Sequence, residues 1–144
     1  MHIWDISGSK KYDWLLNDYV KQMNDVIFVC DINENESIHN VKYHWYDIIK
    51  NIKLDSFFYI AVNKCDSFNN KEKIILKINN FFRSIIDINN IFYISALSNK
   101  GITKMFSQIV DDIVKPKKNY IIPEKSNSVL ETSVNAKTLQ CVLI

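Results

Sequence analysis

Five apolar residues, Val26, Ile27, Phe28, Val29 and Cys30, follow one another without a break and run into Asp31. A strand with one wet face alternates polar and apolar side chains. An unbroken run fits a strand buried on both faces, as in a parallel sheet covered by helices. Similar runs recur at Phe57–Val62 and Ile91–Ile94, and His2–Ile6 reads as a short strand that opens the chain. Between the runs the apolar period lengthens to three or four residues, the spacing of a helix face. Tyr12, Leu15, Leu16, Tyr19, Val20 and Met23 follow it, as do Ile74, Ile75, Ile78, Phe82, Ile85 and Ile86 within Lys71–Ile86. Ser37 is the expected cap of a helix that runs to about Asn51. A last helix carries Ile102, Met105, Phe106, Ile109, Val110 and Ile113, and Pro116 ends it. Strand and helix thus alternate four times, which predicts right-handed crossovers and helices on both faces of a parallel sheet.

Composition narrows the function classes. Lys and Arg number 18 against 16 Asp and Glu, for a net charge of +2, too balanced for a nucleic-acid binder. Three cysteines, Cys30, Cys65 and Cys141, match no zinc or CxxC spacing, and an odd count argues against a disulfide framework. A reducing compartment is therefore expected. No stretch approaches the roughly 18 apolar residues of a membrane span. After Lys115 the periodicity stops, so residues 115–144 read as a flexible tail.

Ligands of doubly wound sheets bind in the loops beyond the carboxyl ends of the strands. After Phe57–Val62 comes Asn63–Lys64–Cys65–Asp66, and after Ile91–Ile94 comes Ser95–Ala96–Leu97. The first strand runs Trp4–Asp5–Ile6–Ser7–Gly8–Ser9–Lys10 into its helix. Taken singly, these are a polar turn, an ordinary strand end and a strand-to-helix turn. Taken in order, they resemble the NKxD, SAK and WDTAGQE boxes of the Rab/Ras-type small GTPases.

The resemblance implies an α/β, P-loop NTPase-like small G domain over residues 1–114, with three αβα layers. It gives Asp66 the guanine N1 and exocyclic amine, lays Lys64 along the base, and has Asn63 tie neighbouring loops together. The main chain of Ser95, Ala96 and Leu97 would meet the guanine oxygen, with Leu97 standing where the family has Lys. Asp5 would hold Mg²⁺ through water, and the Gly8 amide would sense the γ-phosphate. Ser9 occupies the place of the Gln that orients the attacking water. Its hydroxyl is too short for that work, so no catalytic residue is assigned and any hydrolysis should be slow. Asp31 and Ser37 match scaffold positions, and Tyr43–Tyr46 carries one extra residue relative to the family's helix. His39 and His44 read as surface residues. Trp4 and Tyr19 lean toward Rab over Ras.

The chain ends Cys141–Val142–Leu143–Ile144, a CaaX box. The terminal Ile suits the geranylgeranyl class. One isoprenoid anchors weakly, and Lys115, Lys117, Lys118, Lys125 and Lys137 supply a diffuse basic supplement.

The family also uses G-x-x-x-x-G-K-[ST] to cradle phosphates. The glycines of this chain are Gly8 and Gly101, so no P-loop can be drawn, nor a switch I threonine. The domain therefore reads as incomplete at its N-terminus. In the family the corresponding strand lies mid-sheet, between the strand ending at Asp5 and that ending at Asp31. An empty slot flanked by two unpaired edges is expected there.

The functional expectation is a GTP/GDP- and Mg²⁺-binding switch in vesicle trafficking or signalling. Its partners would be effector and regulator proteins and a membrane reached through prenylated Cys141. It would work on the cytoplasmic face of that membrane, with a cytosolic pool. The competing expectation is a pseudo-GTPase interaction module that binds no nucleotide. A translation-associated GTPase shares two of the boxes, but the CaaX tail speaks against it.

Overall fold

The computed structural model describes residues 2–53, 56–67, 71–114 and 140–143. Strand β1 is His2–Asp5, and a short 3-10 turn leads into α1, Asp13–Val20. Strand β2 is Asp25–Asp31. After it, α2 (Asn35–Asn40), a π turn (Val41–Trp45) and α3 (Tyr46–Ile52) form one continuous helical stretch. Then come β3 (Phe57–Asn63), α4 (Lys71–Phe82), β4 (Ile91–Tyr93), α5 (Ile102–Val114) and β5 (Gln140–Leu143). The sheet is parallel throughout, in the order β1-β5-β2-β3-β4.

The double-sided apolar runs do what their pattern predicts. Val26, Phe28 and Cys30 of β2 join Ile60 and Val62 of β3 in a core closed by Leu16 and Val20 of α1, Trp45 and Ile49, and Phe82 of α4. The intervening Ile27, Tyr59 and Ala61 point the other way and pack under Met105 and Ile109 of α5. Each fully buried aliphatic or aromatic side chain stabilises the fold by about 1.5–3 kcal/mol relative to leaving it in water. The layers are unequal, because three helical stretches cover one face and α5 covers the other.

The extra residue expected at Tyr43–Tyr46 is visible as the π turn. There the Tyr46 amide donates to the Val41 carbonyl, five residues back. A one-residue insertion widens one turn and leaves the helix on either side α-helical. His44 is not a plain surface residue: its Nε2 stands 3.2 Å from Asp13 Oδ2 of α1. His39 stacks on Phe81, with ring centroids 5.0 Å apart.

Three further expectations are corrected. Ser37 does not cap its helix; Glu34 is the N-cap and offers no side-chain bond. The Ser37 hydroxyl instead accepts the Asp31 amide at 3.1 Å. That amide lies beyond the reach of β5, whose pairing with β2 stops at Ile27. Second, the slot beside β2 is filled, because β5 lies between β1 and β2 and pairs with both. Buried, unpaired backbone groups cost about 1–3 kcal/mol each, which favours any strand that can reach them. Third, Gln140–Leu143 were assigned to a flexible tail, whereas they form a strand. The rest of that tail, 115–139 and Ile144, lies outside the described residues.

Candidate guanine-binding site

β3 and β4 are neighbours, with Ile60, Ala61 and Val62 opposite Ile91, Phe92 and Tyr93. Their carboxyl ends therefore deliver Asn63 and Ser95 side by side. The Ile94 amide donates to the Val62 carbonyl at 2.9 Å, and the Cys65 amide to the Ile94 carbonyl at 3.1 Å. These two bonds continue the ladder past the strands and stitch the loops together. Lys64 turns the chain with φ +65°, a left-handed conformation uncommon outside glycine. The Asn63 side chain stabilises that turn, its Oδ1 accepting the Lys64 amide at 2.7 Å.

The same Asn63 Oδ1 accepts the Ala96 amide at 3.0 Å. Asn63 thus ties the two loops together, the job the resemblance gives it. Ser95 is fully buried, and its hydroxyl donates to Asp66 Oδ1 while accepting the Ser98 amide at 3.1 Å. The second carboxylate oxygen of Asp66 carries no described hydrogen bond, and the residue is exposed. Ala96 and Leu97 are exposed as well, Leu97 to 88%. The Ala96 amide is occupied by Asn63, whereas the neighbouring Leu97 amide has no described acceptor.

The loop closes on itself through an antiparallel bridge, with the Ser95 amide donating to the Lys100 carbonyl at 3.0 Å. Gly101 follows at φ +77°, and a Cβ there would stand 2.8 Å from the Tyr93 carbonyl oxygen. Only glycine meets both demands. The loop's geometry is therefore fixed from below by a residue outside any recognised motif.

Lys64 reaches across to β2, where its Nζ lies 2.7 Å from Asp31 Oδ2. Partial burial pushes the Asp31 carboxyl up. The hydrogen bond from Lys64, the Asn33 amide and the Lys64 charge outweigh it and hold the group below the usual carboxylate range. The same bond with Asp31 raises the Lys64 ammonium above its ordinary value. Asp31 therefore belongs to this site and is not mere scaffold. The signal lay in the register: Asp31 pairs with Asn63 at the end of the β2–β3 ladder, so two strand-terminal polar residues had to emerge together. Asn33 extends the group, its Nδ2 donating to Ser67 Oγ at 2.9 Å.

The phosphate-side residues lie apart. Asp5, at the end of β1, lines a cavity of about 360 Å³ with Trp4, Tyr12, Leu15 and Tyr19. Gly8 lines a different one of about 290 Å³ with Val29, Glu34, Glu36 and Trp45. A phosphate would meet two carboxylates there. Among the described residues no group of three or more His, Cys, Asp or Glu side chains could hold a metal ion. Mg²⁺ is usually held by one or two carboxylates together with substrate phosphates, and Asp5 alone supplies the protein's part of such a set. Among the described residues Asn63, Asp66 and Ser95 converge at neighbouring strand ends, while Asp5 and Gly8 line separate cavities and form no phosphate cradle. Cys141 lies in β5, its backbone opposite Ile3 on one side and Asp25 on the other. Ser9 ends the exposed segment before the 3-10 turn.

A larger cavity, about 680 Å³, lies between α2 and α4, lined among others by Ile32, Ile38, His39, Ile74 and Phe81. None of Asn63, Asp66 or Ser95 borders it.

Residues 1–115 match the family model described as Ras family. No curated protein matches the chain.

Proposed function

The chain belongs to the Ras family of small GTPases, and from that premise we propose that it reads guanine nucleotides through the NKCD and SAL loops. Members of the family generally bind GTP or GDP with Mg²⁺. The observation that carries the reading is the double tie between the loops, Asn63 to the Ala96 amide and Ser95 to Asp66. It holds the Asp66 carboxylate rigidly toward solvent, where an acceptor pair matches the two adjacent donors of guanine that adenine lacks. The Leu97 amide is placed to donate to the guanine oxygen. Lys64, anchored on Asp31, presents its aliphatic stem as one wall for the base.

The Rab-like reading rests on Trp4 and Tyr19, whose rings sit 5.4 Å apart over the cavity at Asp5. Trp4 is 41% exposed, so this pair offers an aromatic surface to effector or regulator proteins. With Ser9 in place of Gln, any hydrolysis is slow. Prenylation at Cys141 would tether the switch to the cytoplasmic face of a membrane, in trafficking or signalling. Titration of the full chain with fluorescent GDP tests the site. Saturable binding displaced by GTP but not ATP, and lost in Asp66→Ala, is the expected result. Equal displacement by ATP would remove the guanine reading.

One observation favours a second reading. β5 occupies the place that the resemblance gives to the strand leading into the phosphate loop. A chain held in that arrangement would be a protein-interaction module that binds no nucleotide. No saturable GDP binding at tens of micromolar by folded protein would select it.

A further inference from the structure

β5 has neighbours on both sides. His2, Ile3, Trp4 and Asp5 pair with Gln140, Cys141, Val142 and Leu143, and Asp25, Val26 and Ile27 pair with Cys141, Val142 and Leu143. Along a strand, backbone groups point alternately to one neighbour and the other. The backbone from Cys141 to Leu143 is therefore committed to the ladders on both flanks. These residues also make up most of the Cys-Val-Leu-Ile sequence. An enzyme that modifies the thiol and reads the three residues after it must take this backbone as a separate, extended peptide. One segment cannot serve both partners at once.

We propose that seating Gln140–Leu143 between β1 and β2 withholds Cys141 from prenylation, so that the chain carries its own reversible block on membrane attachment. This rests on the reading of Cys141–Ile144 as a prenylation box. The blocked reaction joins the Cys141 sulfur to C1 of an isoprenoid diphosphate. The C–S bond forms as the C–O bond breaks, the diphosphate leaves with the electron pair, and the thiol proton passes to solvent. Only the unseated fraction of molecules is a substrate, so the apparent specificity constant falls in proportion to that fraction. The occupant acts in cis. The 25 residues 115–139 separate α5 from β5. Extended, they would reach about 80–90 Å, far beyond a domain with a radius of gyration of about 13 Å.

The test compares the full chain with a synthetic peptide of residues 137–144, each given geranylgeranyl diphosphate and the transferase that reads CaaX tails. The peptide should be modified at least tenfold faster. Val142→Pro removes a ladder amide, so the protein-to-peptide rate ratio, each measured with the same substitution, should rise toward one. Native hydrogen exchange supplies a readout independent of the enzyme. The amides of Cys141–Leu143 should be protected in a monomer, and Val142→Pro should expose those of Ile3 and Trp4 without exposing those of Ile60–Val62. Equal rates for chain and peptide, or unprotected Cys141–Leu143 amides, would overturn the proposal. Protection found only in a dimer would replace it with strand exchange between two copies. An unmodified native peptide alongside protected amides would sink the prenylation reading while leaving the seated strand.

Discussion

β2 and β3 pair along seven residues, Asp25–Asp31 against Phe57–Asn63, and β1 pairs along four, with β5 as its sole described neighbour. Core covers the first pair on both sides: Ile60, Ala61 and Val62 are 0% exposed. At β1, Ile3 and Trp4 remain 44% and 41% exposed. The guanine loops grow from the first region, and the phosphate-side residues Asp5 and Gly8 grow from the second. Among the described residues, Asn63 and Ser95 follow largely buried strands, whereas Asp5 ends a strand exposed along its length. On the guanine-nucleotide reading proposed above, recognition of the base would rest on the most buried part of the sheet. The opposite half depends on a strand that arrives from the far end of the chain.

The largest test of this contrast is a pair of core truncations. Phe28→Ala, at a side chain with 0% exposure, should lower unfolding stability by about 3–5 kcal/mol. Ile3→Ala should cost less than about 1 kcal/mol, as exposed positions do. Urea denaturation measures both, and equal losses would break the comparison. Next, Gly101→Ala forces a side chain into a left-handed turn and against the Tyr93 carbonyl, with an expected cost of roughly 1–3 kcal/mol. Nucleotide binding should weaken with it, since the loop above shifts. An unchanged melting temperature would show that the turn adapts.

Asn63→Ala removes the acceptor for two amides, Lys64 and Ala96, at roughly 0.5–1.5 kcal/mol for each bond. Hydrogen exchange should quicken at those amides while Ile94, bonded to Val62, stays slow. Quickening across all of β4 would mean that the loops also hold the strands.

The smallest effect is the pH response of the Asp31–Lys64 pair. Asp31 has a depressed pKa in the folded state, so its contribution is present above the unfolded carboxylate value of 3.8 and lost as pH falls through the lower, folded value. Lys64 is raised, so its share persists at neutral pH and disappears as pH climbs past the ordinary lysine range. Thermal melts of Asp31→Asn against the native chain should differ slightly at pH 7 and converge in acid. A difference that grew in acid would reverse the assigned sign.

Much of the first region was legible in the residues. Unbroken apolar runs marked β2, β3 and β4, and three- and four-residue spacing marked α1, α4 and α5. The ends of the runs placed Asn63, Asp66 and Ser95 together. Asp31 escaped because its role depends on strand register, which no local pattern encodes. Gly101 escaped because its constraint is a contact with Tyr93, visible only once the loop is folded. The slot was legible as a vacancy, but its occupant was not. Four residues at a chain end carry too little period to announce a strand, and their partners lie more than a hundred positions away.

That distance has a consequence for how the protein is made. Synthesis delivers β1, β2, β3 and β4 in turn and β5 last, yet β5 belongs in the interior. While translation continues, the β2–β4 half can assemble, but β5, the sole described neighbour of β1, is still to come. The chain emerges at about 5–20 residues per second, so the open edges of β1 and β2 stay uncovered for seconds before closure. Open strand edges are templates for pairing with other chains. Nascent copies on one message would thus be most prone to capture each other's C-terminal strand, and anything that binds the slot during elongation gains a head start over the chain's own tail.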